Sequence, residues 1–243
     1  MEVQIAAAKV AKYATSESGD TLEIIERANG GLSLVLADGQ RSGRAAKTIS
    51  NLVARKAISL LAEGARDGVA ARATHDYLFA ARKGKVRADL QIISLDLITQ
   101  TIIVSRNTDC PVAICRPGEP LTWIDASSEP IGLYPGTKPT ITELSIVPQF
   151  LLVSFTDGLL HAGSRHAEKS RVPPFVTSAI ESFSSGSQAP TDVQPLTDRL
   201  LAEAMRLEQG RPADDISVVA LYVCPRPAGD AARRMAVRFP LSL

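Results

Sequence analysis

Leu151-Leu152-Val153-Ser154-Phe155-Thr156-Asp157-Gly158 decides the fold of this chain. The apolar stretch Phe150 to Phe155 is too short for a helix. It reads as a strand buried on both faces, stopped by an Asp-Gly turn signal. The same grammar occurs earlier, where Leu32 to Leu36 runs into Ala37-Asp38-Gly39. It occurs in reverse order later, where Asp214-Asp215 leads into the apolar strand Ile216 to Val223. A strand packed on both sides holds its terminal residue rigidly, so each run presents a fixed carboxylate at its end.

Further strands are expected on either side of these runs. Val3 to Val10 reads as a strand, and Thr21 to Glu26 pairs with Leu32 to Leu36 across an Asn29-Gly30 turn. Ile49, Val53, Ala57, Leu60 and Leu61 then recur at helical spacing up to Gly64. Val69, Ala73, Tyr77 and Ala80 predict a second amphipathic helix up to Gly84. Strands return at Leu90 to Leu97, Thr101 to Ser105, Val112 to Cys115, Leu121 to Ile124 and Thr140 to Ile146. Ser184 to Pro195 reads as a loop, and Leu196, Leu200, Ala204 and Leu207 mark a helix closed by Gly210. Met235 to Phe239 could add an edge strand to a C-terminal tail. Helices in succession between blocks of strands argue against a βαβ repeat. They favour an α+β architecture of two mainly antiparallel sheets packed face to face, with helix pairs outside. The expected division is one domain over residues 1–224 and a tail over 225–243.

Composition narrows the function classes. The 243 residues carry 27 basic and 26 acidic side chains, and aromatics make up 5%. Neither nucleic acid nor an anionic membrane is expected as a partner. No apolar run approaches a membrane span, and Met1 to Tyr13 does not read as a signal peptide. Cys110, Cys115 and Cys224 suit neither a disulfide framework nor a zinc site, and a reducing cytoplasm is the expected compartment. His75, His161 and His166 have no partners at metal-ligand spacing; His75 is expected on a helix surface and the others in loops. Trp123 is expected in the core. No phosphate loop and no Gly-x-Ser-x-Gly elbow is present.

A carboxylate beside a dry core is costly unless paired with a cation. Carboxylates without His or Cys favour hard ions such as Mg²⁺ or Mn²⁺. A lone Asp-Gly is ordinarily a solvated turn, so the weight lies in the combination. Ser18-Gly19-Asp20, Ala37-Asp38-Gly39-Gln40-Arg41-Ser42-Gly43, Phe155-Thr156-Asp157-Gly158 and Asp214-Asp215-Ile216-Ser217 follow in an order that resembles the PPM (phosphatase 2C) family. The pattern is most similar to its bacterial SpoIIE-like branch, as is Ser128-Glu129-Pro130-Ile131-Gly132-Leu133. The resemblance runs from about Ser18 to Val223.

That resemblance implies a four-layer α-β-β-α sandwich with two Mn²⁺ or Mg²⁺ ions at one end of the sheets. Asp38 matches the ligand bridging both ions, and Gly39 the residue lending a backbone carbonyl. Asp157 and Asp214 match ligands completing one ion, and Asp20 an acid serving the other directly or through water. Asp215 matches a supporting hydrogen-bond group. The implied activity is hydrolysis of phosphoserine or phosphothreonine by a metal-activated water, which leaves Ser154, Ser217 and the cysteines without a catalytic part. The implied substrate is a phosphorylated regulatory protein of the STAS-domain, sigma-factor-antagonist or stressosome type. The alternative is a catalytically weak scaffold of the same fold that binds a phosphoprotein; retention of Asp38, Asp157 and Asp214 favours the enzyme. Arg41 departs from the family pattern and could reach substrate phosphate, with exposure to solvent as its plainer role. Lys85-Val86-Arg87-Ala88-Asp89 and Arg106-Asn107-Thr108-Asp109 also depart from it, and Asp89 could hold an extra ion.

Overall fold

The computed structural model describes residues 1–28, 30–163, 172–185, 190–226, 229–230 and 232–238. One antiparallel sheet has the order β1 (Glu2–Val10), β10 (Ile216–Cys224), β9 (Leu151–Phe155), β6 (Val112–Cys115), β7 (Thr122–Ile124). The other has the order β2 (Asp20–Glu26), β3 (Leu32–Gly39), β4 (Ala88–Asp96), β5 (Thr101–Asn107), β8 (Thr140–Ser145), also antiparallel throughout. Helices α1 (Gly43–Ala62) and α2 (Asp67–Arg82) cover the second sheet. Helices α4 (Pro174–Ser184) and α5 (Gln194–Leu207) cover the first, with the single turn α3 (Asp157–Leu160) following directly on its central strand β9. This is the expected four-layer α-β-β-α arrangement.

Period-2 alternation builds the layers. Leu34 and Leu36 of β3 point between the sheets and meet Leu152, Val219 and Leu221. Val35 and Ala37 of the same strand point outward against Val53, Ala57 and Leu61 of α1. On β10, Val218, Ala220 and Tyr222 face Ile180 and Leu200 of the other helical layer. Strands buried on both faces therefore lack polar alternation, as their sequence announced. Gln91 staples the two sheets: its amide donates to the Phe155 carbonyl (2.9 Å) and accepts from the Ser154 hydroxyl (2.7 Å).

Several expectations change. The buried face of α2 is Ala70, Ala71, Thr74, His75 and Leu78, whereas Val69 and Tyr77 are exposed. His75 is thus a core residue; its Nδ1 accepts the Gly132 N–H at 3.0 Å, and burial lowers its pKa. Helices α3 and α4 were not anticipated, and α4 runs up to Ser184, where the loop was expected to begin. Residues 186–189 of that loop, Asn29 of the first turn and His166 lie outside the described residues. His161 is exposed, and Trp123 is partly buried against the core over Phe155. In the tail, residues 235–238 form no strand, and Phe239 lies outside the described residues. No described helix is long and apolar enough to cross a membrane.

Candidate metal centre

Strand register brings the acids together. Asp20 of β2 pairs with Asp38 of β3, and Asp38 pairs with Asp89 of β4. Directly opposed residues of an antiparallel pair share a face. All three have the parity of Leu36 and Ile93, so this row of carboxylates caps the apolar layer between the sheets. The opposite sheet contributes Asp157, just past β9 at the start of α3, and Asp214, two residues before β10.

Two glycines let these segments close up. A Cβ on Gly39 would stand 2.1 Å from the Ala46 carbonyl oxygen, and one on Gly158 would stand 2.0 Å from that of Asp215. The glycine of each Asp-Gly pair is therefore required by backbone packing, which seats the first turn of α1 against β3 and α3 against the start of β10.

Each acid has a distinct environment. Asp20 is fully buried; its Oδ2 accepts from the hydroxyls of Thr156 (3.0 Å) and Ser217 (2.6 Å), and its Oδ1 has no partner. Asp215 is also buried; its Oδ1 accepts the Lys12 N–H at 3.0 Å, and its Oδ2 has no partner. Its own N–H donates to Asp214 at 2.9 Å. Asp89 accepts from the Thr108 hydroxyl at 2.5 Å. Asp38 has no hydrogen-bond donor among the described residues.

Burial and mutual repulsion raise these acids. Asp38 is pushed up to about 10, first by loss of solvent and then by the charges of Asp20, Asp157, Asp89 and Asp214. Asp20 rises to about 6 through burial and the nearby charges of Asp215 and Asp157, against the hydroxyl of Ser217. Asp89 rises to about 6, again chiefly by burial, and Asp214 is raised by burial and by Asp157. Like charges placed together at the edge of an apolar layer call for a cation. The orphaned oxygens of Asp20 and Asp215 and the all-oxygen donor set fit a hard divalent ion. As they stand, no three His, Cys, Asp or Glu side chains among the described residues are gathered tightly enough to enclose one ion.

Arg41 stands apart from this cluster. It is exposed, adopts a left-handed backbone (φ 75°) and has no side-chain partner among the described residues. The segment 106–109 has a supporting part. Arg106 is fully buried, and its guanidinium donates to the carbonyls of Cys110 (2.7 Å), Thr108 (3.1 Å) and Ala126 (3.2 Å). This clasp sets Thr108 against Asp89, while Asn107 donates to the Glu129 carbonyl at 3.0 Å. Sequence reasoning missed Thr156, Ser217 and Thr108. The available signal was parity: Ser217 is polar at an inward-facing position of a strand otherwise almost wholly apolar, and Thr156, just past β9, continues the inward-facing parity of Leu152 and Ser154.

The sequence model of the Stage II sporulation protein E (SpoIIE) family matches residues 28–223. The chain belongs to the SpoIIE family. Stage II sporulation protein E of Priestia megaterium is 24% identical over 217 residues, covering 89% of this chain and 36% of that protein. The SpoIIE-family chain therefore spans about a third of that relative's length. Its fold is similar to that in the structure of the PP2C phosphatase domain and a fragment of the regulatory domain of SpoIIE from Bacillus subtilis, with a TM-score of 0.78 and 22% identity, covering 92% of this chain and 64% of that one. The catalytic domain of the serine/threonine protein phosphatase PstP, solved in complex with two manganese ions, aligns with a TM-score of 0.67 and 19% identity, covering 92% of this chain and 99% of that one.

Proposed function

We propose that this SpoIIE-family chain is a divalent-metal-dependent phosphatase that hydrolyses phosphoserine or phosphothreonine on a regulatory partner protein. The observation carrying this reading is the row Asp20, Asp38 and Asp89 across three adjacent strands, faced by Asp157 and Asp214 from the opposite sheet. Asp38, central in the row and influenced by the other four, would be the central carboxylate of the donor set. The Gly39 carbonyl, Asp157 and Asp214 would complete the donor set, with Asp20 and Asp89 at its sides and Asp215 supporting Asp214. When bound, Mn²⁺ or Mg²⁺ would supply an acidified water and neutralise charge on the phosphoryl group. The chain's own part is to hold these oxygens rigidly at strand ends and to present no serine or cysteine nucleophile of its own.

The partner fits the resemblance to the SpoIIE-like branch: a phosphorylated STAS-domain or sigma-factor-antagonist protein, met in the cytoplasm. The test is phosphate release from a phosphoserine or phosphothreonine peptide with Mn²⁺, with Mg²⁺ and with EDTA. Release that depends on the divalent ion is expected. Release unaffected by EDTA, or a trapped phosphoenzyme, would overturn the reading. Binding of the phosphopeptide without release would favour a scaffold instead.

A further inference from the structure

Resting on the metal-dependent reading above, we propose that Thr156 and Ser217 are positioning residues of the metal centre. Their hydroxyls clamp one oxygen of Asp20 and thereby aim the other at the cation. Asp20 is buried with 0% exposure, yet nearly all its polar atoms are engaged. Its N–H donates to the Ser18 hydroxyl (3.2 Å), and its carbonyl accepts from the Lys47 ammonium (2.6 Å) and the Lys9 ammonium (3.3 Å). Its Oδ2 accepts from Thr156 and Ser217, and Oδ1 alone is left without a partner. A buried carboxylate oxygen without a donor is costly, and this one lies on the strand register that carries Asp38.

The proton positions follow from chemistry. The Thr156 hydroxyl oxygen accepts the Ser217 N–H at 3.0 Å, so its proton is free for Asp20. An ionised carboxylate only accepts, so Ser217 must donate as well. Both hydroxyls come from the first sheet, one on β10 and one at the end of β9, whereas Asp20 opens β2 of the second. The clamp therefore fixes a donor of one sheet relative to Asp157 and Asp214 of the other. Hydrogen-bond partners that orient a metal ligand are typically worth about 10–100-fold in metal affinity. A cross-sheet rivet with no metal role would affect folding alone, and Ser154 supplies that comparison. It is equally buried on β9, but its hydroxyl bonds to Gln91.

The test is Mn²⁺ binding to the full chain by calorimetry, with melting of the metal-free proteins alongside. Thr156→Val and Ser217→Ala are each expected to weaken Mn²⁺ binding about 10–100-fold. Ser217→Thr should restore it to within a few-fold, and Ser154→Ala should lower the metal-free melting point without changing affinity. If Ser217→Ala does not fold, Ser217→Cys, of similar bulk and a poor donor, replaces it with the same expectation. Wild-type affinity in both hydroxyl-deleted variants would overturn the clamp and leave the metal centre standing. Absence of Mn²⁺ binding in the wild type would remove the metal centre and the clamp with it.

Discussion

Asp38 is the residue on which the electrostatics of the site turn. It is the middle member of the carboxylate row, lacks a hydrogen-bond donor among the described residues, and is raised by burial and by four neighbouring acids. In the metal-free protein at neutral pH it takes up a proton that the unfolded chain does not hold, and that difference opposes folding. Asp38→Asn removes the ionisation and the repulsion together. The metal-free variant should therefore melt several degrees above the metal-free wild type, while its Mn²⁺ binding is lost; thermal melts in EDTA and in Mn²⁺ check both. An Asp38→Asn protein less stable than wild type without metal would show that Asp38 is not repelled. Asp38, Asp157 and Asp214 were legible because each stands at the end of an apolar run. The engagement of Asp20 was not, because Ser217 and Thr156 read as ordinary strand residues until the packing of two sheets brings them to its carboxylate.

At the scale of elements, the strands were legible and the helices less so. Buried strands such as β9 and β10 announce themselves by continuous apolar composition. The buried face of α2 does not, because close packing selects Ala70, Ala71 and Thr74 there while Val69 and Tyr77 stay in solvent. Apolar spacing therefore pointed to the wrong side of that helix. The segment 159–183 offered no strong period, and α4 emerges from its packing against β10 and α5. The Asp-Gly pairs carried more information than a turn signal, since each glycine is also a point of backbone contact. Gly158→Ala should destabilise the protein by about 1–3 kcal/mol or more, because the new methyl group meets the Asp215 carbonyl and must push α3 away from β10. Urea unfolding in EDTA measures this directly. An unchanged midpoint would show that the contact relaxes without cost.

At the scale of the whole molecule, two sheets and their helices close an apolar layer at one end with acids that repel one another. Asp20 and Asp89 at about 6 and Asp38 at about 10 all lie above the ordinary value of 3.8. A carboxyl group held above its unfolded value contributes stability while protonated and loses it as pH rises through its folded pKa. The metal-free protein should thus gain stability on acidification from pH 8 towards 5. A cation bound only by the native state stabilises by mass action, about 2.7 kcal/mol at a hundredfold excess over its dissociation constant. For a chain of this size that is about 5–10 °C. The decisive measurement is thermal melting of the metal-free protein across a saturating Mn²⁺ titration at neutral pH. A saturable rise of that order, reversed by EDTA, is the predicted result. Identical midpoints from zero to saturating Mn²⁺ would contradict a cation centre at the end of this sandwich.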